Sequence, residues 1–204
     1  KKGYSGDSDA VAGKTIAKVT LTAMKAVNSN TISLSWKKVS GVSGYEIYRS
    51  TSKSGKYELV GRVSGAKTTS YEDTTVKAGK NYYYKVRGYK KNNAKEGKGT
   101  YSDVQKAWTV KKVEITKTSG TSGNSVKLTW DKVSKASGYR IYRSTKENSG
   151  YKLLKEIKSA STVTYKDTTV KTGKVYYYQI VAINKIKGDE IGQGDYSDTL
   201  RVPV

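Results

Sequence analysis

The sequence predicts an all-β protein built from two tandem antiparallel β-sandwiches of seven strands each. One observation is a long repeat: the stretch 36–51 returns almost unchanged as 130–145, at an offset of 94 residues (130 − 36) that corresponds to a whole domain. The other is that short alternating apolar runs are separated by Gly, Ser and Asn turns, with no helical periodicity. We expect a linker at 1–15, a first domain at 16–109 and a second at 110–204.

The first copy divides into seven predicted strands. Each is an alternating or aromatic-rich run bounded by turn residues, and in order they contain residues 19–23, 32–36, 45–48, 57–63, 68–71, 81–89 and 101–107. Because side chains alternate across a strand, Tyr45 and Ile47 should point into the core, with Glu46 and Tyr48 outward. The Lys-, Asn- and Gly-rich segment 90–99 is predicted to be a mobile loop.

The second copy repeats this order with one inserted residue before Tyr196, the counterpart of Tyr101. Only residues 109–112 separate the copies, which is too few for a flexible tether. Trp108, beside this junction, either packs between the two copies or completes a strand, and we favour the contact between copies.

Composition limits the possible functions. The chain has 39 Lys and Arg against 17 Asp and Glu, a formal net charge of +22. Such a surface should attract polyanions, although solubility alone would also account for it. There are 18 Tyr and no Phe, so Tyr must supply much of the aromatic core.

No apolar run approaches the roughly 20 residues of a membrane span, so no membrane insertion is expected. No signal peptide is visible, and we expect a mature fragment of a longer protein.

No residues with the pattern of a catalytic or metal site are found. The sequence lacks both His and Cys, which removes the usual proton shuttle, thiol nucleophile and zinc ligands. Asp73 and Asp167 occupy matched turn positions, and Asp189, Glu190 and Asp195 cluster in one loop. We interpret these carboxylates as turn-forming and charge-balancing groups, and we predict no enzyme activity, no metal and no cofactor.

The order of elements resembles the fibronectin type III domain, an immunoglobulin-like sandwich, from about residue 16 to the end. The likeness rests on the Trp of the second strand, on the residues before the sixth strand and on the Tyr-Ser pair that opens the last strand: Trp36, Val76, Gly79, Tyr82 and Tyr101-Ser102, repeated as Trp130, Val170, Gly173, Tyr176 and Tyr196-Ser197. Ala78 and Thr172 replace the usual Pro. The resemblance implies that both Trp residues are core, and that Tyr82 and Tyr176 are tyrosine corners.

The Lys- and Tyr-rich composition, with motifs such as Val-Ser-Gly-Tyr and Tyr-Tyr-Tyr, is similar to that of tandem modules in secreted or surface proteins of Gram-positive gut bacteria. That likeness implies an extracellular, secreted or wall-attached location. It also implies a non-catalytic spacer or interaction module whose partners are the neighbouring domains of a longer chain.

A second hypothesis is an adhesin, or a module that binds an anionic glycan, a cell-wall polymer or a host surface protein. It rests on aromatic and cationic residues predicted to face outward: Tyr48, Tyr83, Lys85, Arg87, Arg140, Tyr142 and Tyr177. The alternative is that these rings are ordinary strand residues covered by Lys stems. No nucleic-acid recognition element is present, so no specific nucleic-acid binding is expected.

The tripeptide Lys187-Gly188-Asp189 lies in the predicted loop before the last strand. It resembles the Arg-Gly-Asp tripeptide with which fibronectin binds integrins from the corresponding loop. This implies an integrin-like loop, although a chain rich in Lys and Gly could contain the tripeptide by chance.

Overall fold

A computed structural model describes residues 15–92, 95–119, 124–186 and 189–204, with the side chains of Ile186 and Asp189 left out. The predicted linker 1–15 therefore lies outside the described residues except for its last position. The described residues contain no helix and form sixteen strands, so the predicted all-β class is confirmed.

Each copy contributes eight of these strands. The first copy contains β1 (Leu21–Asn28), β2 (Thr31–Trp36), β3 (Gly44–Ser50), β4 (Glu58–Ser64), β5 (Ser70–Asp73), β6 (Asn81–Asn92), β7 (Lys95–Lys98) and β8 (Gln105–Trp108). The second contains β9 (Ile115–Ser119), β10 (Val126–Trp130), β11 (Gly138–Ser144), β12 (Lys152–Ile157), β13 (Thr164–Asp167), β14 (Val175–Ile186), β15 (Asp189–Tyr196) and β16 (Leu200–Pro203).

The pairing within each copy makes a sandwich. In the first, β2 lies between β1 and β5, while β3 joins β4 to β6, which also pairs with β7 and β8. The second repeats this order with β10 between β9 and β13, and with β11, β12, β14, β15 and β16 in the facing sheet. All of these pairs are antiparallel, which confirms the predicted tandem sandwich architecture.

The expected seventh strand, 101–107, begins later than predicted, at Gln105, and an additional strand, β7, precedes it. Between β7 and β8, the N–H of Ser102 donates to the Val86 carbonyl oxygen over 2.7 Å, while the Ser102 Oγ accepts the Val86 N–H over 3.0 Å. The serine side chain thereby replaces a ladder hydrogen bond and ends the pairing locally. The predicted loop 90–99 is wrong in its extent, because β6 continues to Asn92 and pairs with β7. Its polar composition did not indicate strand because backbone pairing needs no apolar side chain.

Each sandwich has its own core. Trp36 and Trp130 are 3% and 1% exposed, and each ring packs 5.2–5.3 Å from an inward Tyr, Tyr45 or Tyr139. The Tyr45 hydroxyl accepts the Val39 N–H over 2.8 Å and donates to a carbonyl oxygen, so its burial leaves no polar atom unpaired. The core role predicted for both Trp residues is confirmed.

The tyrosine corners implied by the resemblance are also present. The Tyr82 hydroxyl accepts the Lys77 N–H over 2.7 Å, and the Tyr176 hydroxyl accepts the Lys171 N–H over 3.1 Å. Each bond ties the connection before β6 or β14 to the strand itself. The connection before β6 also contacts the second sandwich, because the Gly79 carbonyl oxygen accepts a hydrogen bond from Lys135 Nζ.

Candidate functional site

The outer face of the first sandwich gathers five side chains, which we call the cationic face: Tyr48, Tyr57, Lys85, Arg87 and Tyr101. Lys85 Nζ lies 4.0 Å from the centroid of the Tyr101 ring and 4.4 Å from that of Tyr57. Arg87 Cζ lies 4.6 Å from the Tyr101 ring and 5.0 Å from the Tyr48 ring. All four distances are within cation–π range. The structure therefore brings three predicted residues together and adds Tyr57 and Tyr101, which sequence reasoning had assigned to a strand start and to a family pattern.

Beneath this face lies Glu46, which the sequence predicted to point outward. Glu46 is on the outer side of β3, as predicted, but is only 1% exposed. Its Oε2 accepts hydrogen bonds from Arg87 Nε over 2.8 Å and from the Tyr48 hydroxyl over 2.9 Å. The side chains of Arg62 and Lys98 come within 4 Å of Oε1. The sequence pattern did not indicate this burial, because most of the covering side chains come from other strands.

Glu46 and the side chains that cover it shift one another's pKa values. Burial opposes its charge, but the hydrogen bonds from Arg87 and Tyr48 outweigh burial and lower the pKa of Glu46. Burial, followed by the hydrogen bond to this carboxylate, raises the pKa of Tyr48 to about 12. Arg87 is thus held in an internal ion pair, while Lys85 has no ion pair within the described residues. Lys85 is therefore the cation of this face that is available to a ligand.

Tyr83 lies further along the same face, towards the junction between the copies. Lys106 Nζ lies 5.9 Å from the Tyr83 ring centroid and 5.5 Å from that of Trp108. Tyr83 and Lys106 face each other across β6 and β8, as their register shows. Tyr83 therefore belongs to the junction end of the first sandwich and not to the cationic face.

The outer face of the second sandwich is different. Arg140 donates to Glu156 over 2.9 Å and also to Glu190, so this predicted cation is neutralised by two carboxylates. Lys185, then Arg140, lowers the pKa of Glu156 to about 2.

The predicted aromatic residues of the second copy are also placed differently. The Tyr142 ring packs 5.3 Å from Tyr196, while Tyr177 lies opposite Arg201 in the β14–β16 pairing. Gln179 and Val181 occupy the places of Lys85 and Arg87, 94 residues earlier. The first copy therefore carries a cationic aromatic patch, whereas in the described part of the second copy Arg140 is paired with carboxylates and uncharged residues replace Lys85 and Arg87.

The buried carboxylates Asp73 and Asp167 are structural. Asp73 is fully buried and accepts hydrogen bonds from Arg49 Nη1 over 2.7 Å, from the Tyr84 hydroxyl over 2.8 Å and from the N–H and hydroxyl of Thr75. Burial opposes ionisation, but these partners together lower the pKa of Asp73, and the same arrangement lowers that of Asp167. The bond to the Thr75 N–H closes a turn, in agreement with the interpretation of Asp73 as a turn-forming residue.

The predicted integrin-like loop cannot be placed in full. Lys187 and Gly188 lie outside the described residues, and only the backbone of Asp189, the first residue of β15, is described. The hairpin that carries the tripeptide has β14 on one side and, along part of β15, a strand of the first copy on the other. The integrin-like role stays a prediction.

The two copies meet along a strand edge, which the sequence did not predict. β1 pairs in parallel with β15 at Ala26 and Gly192, so three strands of the first copy and five of the second form one eight-stranded sheet within the described residues. Gly192 has a φ of 148°, and a Cβ there would lie 2.4 Å from the Ala26 carbonyl oxygen, so only glycine permits this approach. The Ser29 Oγ also accepts the N–H of Asp195 over 3.1 Å.

Trp108, the residue just before the link, also contacts the second copy. Its Nε1 donates to the Lys135 carbonyl oxygen over 3.3 Å, and its own carbonyl oxygen accepts a hydrogen bond from Asn184 Nδ2 over 3.0 Å. Lys135 Nζ in turn donates to the Gly79 carbonyl oxygen over 2.9 Å. Trp108 therefore ends β8 and also packs between the copies, so the favoured interpretation is confirmed.

The described part of the chain contains no helix that is long and apolar enough to cross a membrane. It also contains no group of three or more acidic side chains that could hold a metal ion. The clefts and faces described above are therefore the features from which a function can be argued.

Comparison with known proteins finds a family model that matches the first copy. The family model of the fibronectin type III domain matches residues 17–104. No curated protein matches the chain. Among solved structures, the FN1–FN3 domains of chicken CNTN1 are 15% identical, with 92% of this chain and 68% of that chain covered and a TM-score of 0.52. This likeness extends over both copies and supports the fold of each.

Two further solved structures are similar. A two-domain fibronectin type III segment from chicken tenascin is 17% identical, with 90% of this chain and 97% of that chain covered and a TM-score of 0.44. An Fn3-like protein from Clostridium thermocellum is 28% identical, with 47% of this chain and 95% of that chain covered and a TM-score of 0.38. Fibronectin type III domains are generally non-catalytic modules. From the family match and the two-sandwich architecture, the chain contains a fibronectin type III domain at residues 17–104 within a tandem all-β fold.

Proposed function

We propose that this chain is a non-catalytic spacer of an extracellular bacterial protein, either a surface protein or a secreted multidomain enzyme. The two sandwiches would hold the neighbouring domains of the longer chain at a set distance and orientation. The observation that carries this proposal is the strand pairing of Ala26 with Gly192 across the junction. The Lys- and Tyr-rich composition of the sequence supports an extracellular location in a bacterium.

The link between the copies is anchored along its length. Thr109 is fully buried, with its N–H donating to the Lys80 carbonyl oxygen over 3.0 Å and its hydroxyl donating to that of Lys77 over 2.7 Å. Val110 and Val113 are fully buried in the core of the second sandwich. A link held in both sandwiches has little freedom to act as a hinge.

Two further sets of contacts join the sandwiches beside this link. One consists of Ala26 with Gly192 and Ser29 with Asp195, and the other of the hydrogen bonds from Trp108 to Lys135 and from Lys135 to Gly79. Two sandwiches restrained in this way would keep the two ends of the chain at a fixed distance and orientation, as a spacer requires.

Small-angle X-ray scattering of the chain tests the proposal, with Gly192→Val as the disrupting variant. We expect the native chain to give a narrow distribution of maximum dimensions, and the variant a broader one, because a side chain at 192 collides with the Ala26 backbone. The control is Gly97→Val. Gly97 faces Lys90 as Gly192 faces Asn184, but a Cβ there would meet nothing within 4 Å. A broad distribution in the native chain would refute the spacer proposal.

A second candidate function is binding of an anionic glycan or cell-wall polymer, or of an acidic host surface protein, by the cationic face. The observation that favours it is Lys85, whose ammonium group lies between two Tyr rings and has no ion pair within the described residues. Rings of this kind can pack on sugars while the ammonium group attracts phosphate or carboxylate.

Retention of the chain on immobilised teichoic acid at low and physiological salt tests this second function. Lys85→Gln gives the first copy the residue that the second copy has at position 179, and should weaken retention. Arg201→Gln removes one exposed charge elsewhere and should weaken it less. Equal losses in both variants would mean that only net charge matters.

A further inference from the structure

A cleft at the junction between the sandwiches is separate from the cationic face. It has a volume of about 290 Å³ and is lined by Asn81, Lys106, Trp108 and Lys135. Three of these residues belong to the end of the first sandwich, and Lys135 comes from the loop between β10 and β11 of the second. The cleft therefore exists only where the two sandwiches meet.

Positive charge is concentrated around this cleft. Burial, and then the charges of Lys106 and Lys80, lower the pKa of Lys135, which places the three ammonium groups near one another. None of the three forms an ion pair with a carboxylate in the ranges that the structure describes. Like charges held together in this way repel one another, and a bound anion would relieve the repulsion.

Lys135 is fixed in position despite this repulsion. Its backbone has a φ of 66°, in the left-handed region that residues other than glycine seldom adopt. Its Nζ donates to the Gly79 carbonyl oxygen, which leaves two ammonium hydrogens for another acceptor. The cation is therefore already placed at the rim of the cleft before any ligand arrives.

An aromatic surface and an amide complete the lining. The Trp108 ring is partly exposed, and its orientation is set by the bond from Nε1 to the Lys135 carbonyl oxygen. Lys106 Nζ stands 5.5 Å from the centroid of this ring. A flat indole face suits the C–H face of a sugar ring, while the Asn81 amide can bond to hydroxyl groups.

We propose that this cleft binds one anionic sugar unit, with Trp108 packed against the ring and Lys106 and Lys135 holding its phosphate or carboxylate. The volume is near the lower end of the roughly 300–1,000 Å³ of ligand pockets, which suits a single sugar rather than a longer chain. At the matching end of the second sandwich, Val175, Arg201 and Pro203 replace Asn81, Lys106 and Trp108. That end lacks both the ring and the amide, and serves as a control.

The test is an NMR titration of the chain in which the indole N–H signal of Trp108 is followed. The probes are glucose 6-phosphate, glucuronate, glucose and inorganic phosphate at constant ionic strength. We expect at least one of the two anionic sugars to shift the Trp108 signal and to bind about tenfold or more tightly than glucose or phosphate alone. Their relative affinities distinguish phosphate from carboxylate recognition. No shift with either anionic sugar, or equal binding of inorganic phosphate, would overturn the proposal.

Two double variants locate the site. Lys106→Gln with Lys135→Gln should weaken binding of the better sugar about tenfold or more, because each substitution removes a charge-assisted hydrogen bond. Lys174→Gln with Arg201→Gln removes the same number of charges from the second sandwich and should leave binding unchanged. Equal weakening in both would overturn the proposal, as would unchanged binding in the first. Unchanged Trp36 and Trp130 signals report that each variant is folded.

The single variant Lys106→Gln separates binding from junction geometry, because Lys106 makes no hydrogen bond across the junction in the described residues. It should weaken sugar binding while leaving the scattering profile unchanged. Lys85→Gln should not affect sugar binding, so this site can be established or refuted independently of both proposed functions.

Discussion

The two sandwiches share a buried ionic network but carry inverted charges on their outer faces. Inside, Arg49, Asp73 and Tyr84 form the same contacts as Arg143, Asp167 and Tyr178, with hydrogen bonds of 2.7 and 2.8 Å in both copies. A fully buried carboxylate with four donors allows little variation, because each lost partner leaves an unpaired group in the core.

On the outer faces, an acidic and a basic residue face each other across β3 and β4 in the first copy and across β11 and β12 in the second. Their positions are exchanged between the copies. Glu46 faces Arg62 in the first, whereas Arg140 faces Glu156 in the second. The side chain of Glu46 is 2% exposed, but that of Glu156 is 25% exposed. The fold therefore accepts an ionic pair of either polarity at these positions.

The largest effect should come from removing the shared network. Asp73→Ala leaves Arg49, Tyr84 and Thr75 without their acceptor, and should destabilise the first sandwich by about 3–5 kcal/mol. Asp167→Ala should cost the second sandwich a similar amount, measured by urea unfolding. A loss below about 1 kcal/mol in either copy would mean that the network is not what the two interiors have in common.

Removing the carboxylate of each outer ion pair should destabilise its sandwich less than losing the buried network does, and by unequal amounts in the two copies. Glu46→Gln removes the negative charge that pairs with Arg87 and places an NH2 group among cations, and should cost about 2 kcal/mol, whereas Glu156→Gln, at a more exposed pair, should cost about 0.5–1 kcal/mol. Urea unfolding of both variants gives the comparison. Equal costs would show that burial of Glu46 adds nothing beyond the surface pair.

The features predictable from the sequence were those with a local period. Alternation along single strands identified Tyr45 and Ile47 as core, and the repeat carried that assignment to the second copy. The tyrosine corners were implied by the family resemblance, and the bond that each makes is local, since Tyr82 bonds to a residue only five positions earlier. Short-range geometry of this kind leaves a pattern in the sequence.

Contacts between distant strands left no such pattern. Glu46 is covered by Arg87, 41 positions later, and alternation alone places both on an open surface. Gly192 reads as a turn glycine, although it is required by the approach of β1 from the other copy. Lys135 belongs to a polar loop, and only the docking of the two sandwiches places it beside Trp108. The junction cleft was therefore not predictable from either copy alone.

The smallest expected effect is a pH dependence of the free energy of unfolding, caused by Glu156 in the ion pair of the second copy. Lys185 and Arg140 lower the pKa of Glu156 from its usual 4.5 to about 2 in the folded chain. The folded state therefore binds this proton less readily than the unfolded state, so the stabilisation is complete above about pH 4.5 and declines as pH falls towards 2.

The measurement is the difference in free energy of unfolding between the native chain and Glu156→Gln across pH 2–6. We expect this difference to be present at pH 6 and to shrink as the carboxylate is protonated in both states. A difference that stays constant with pH would show that Glu156 contributes through packing alone. In that case the inversion of charge between the two outer faces would have no electrostatic effect on the stability of the second sandwich.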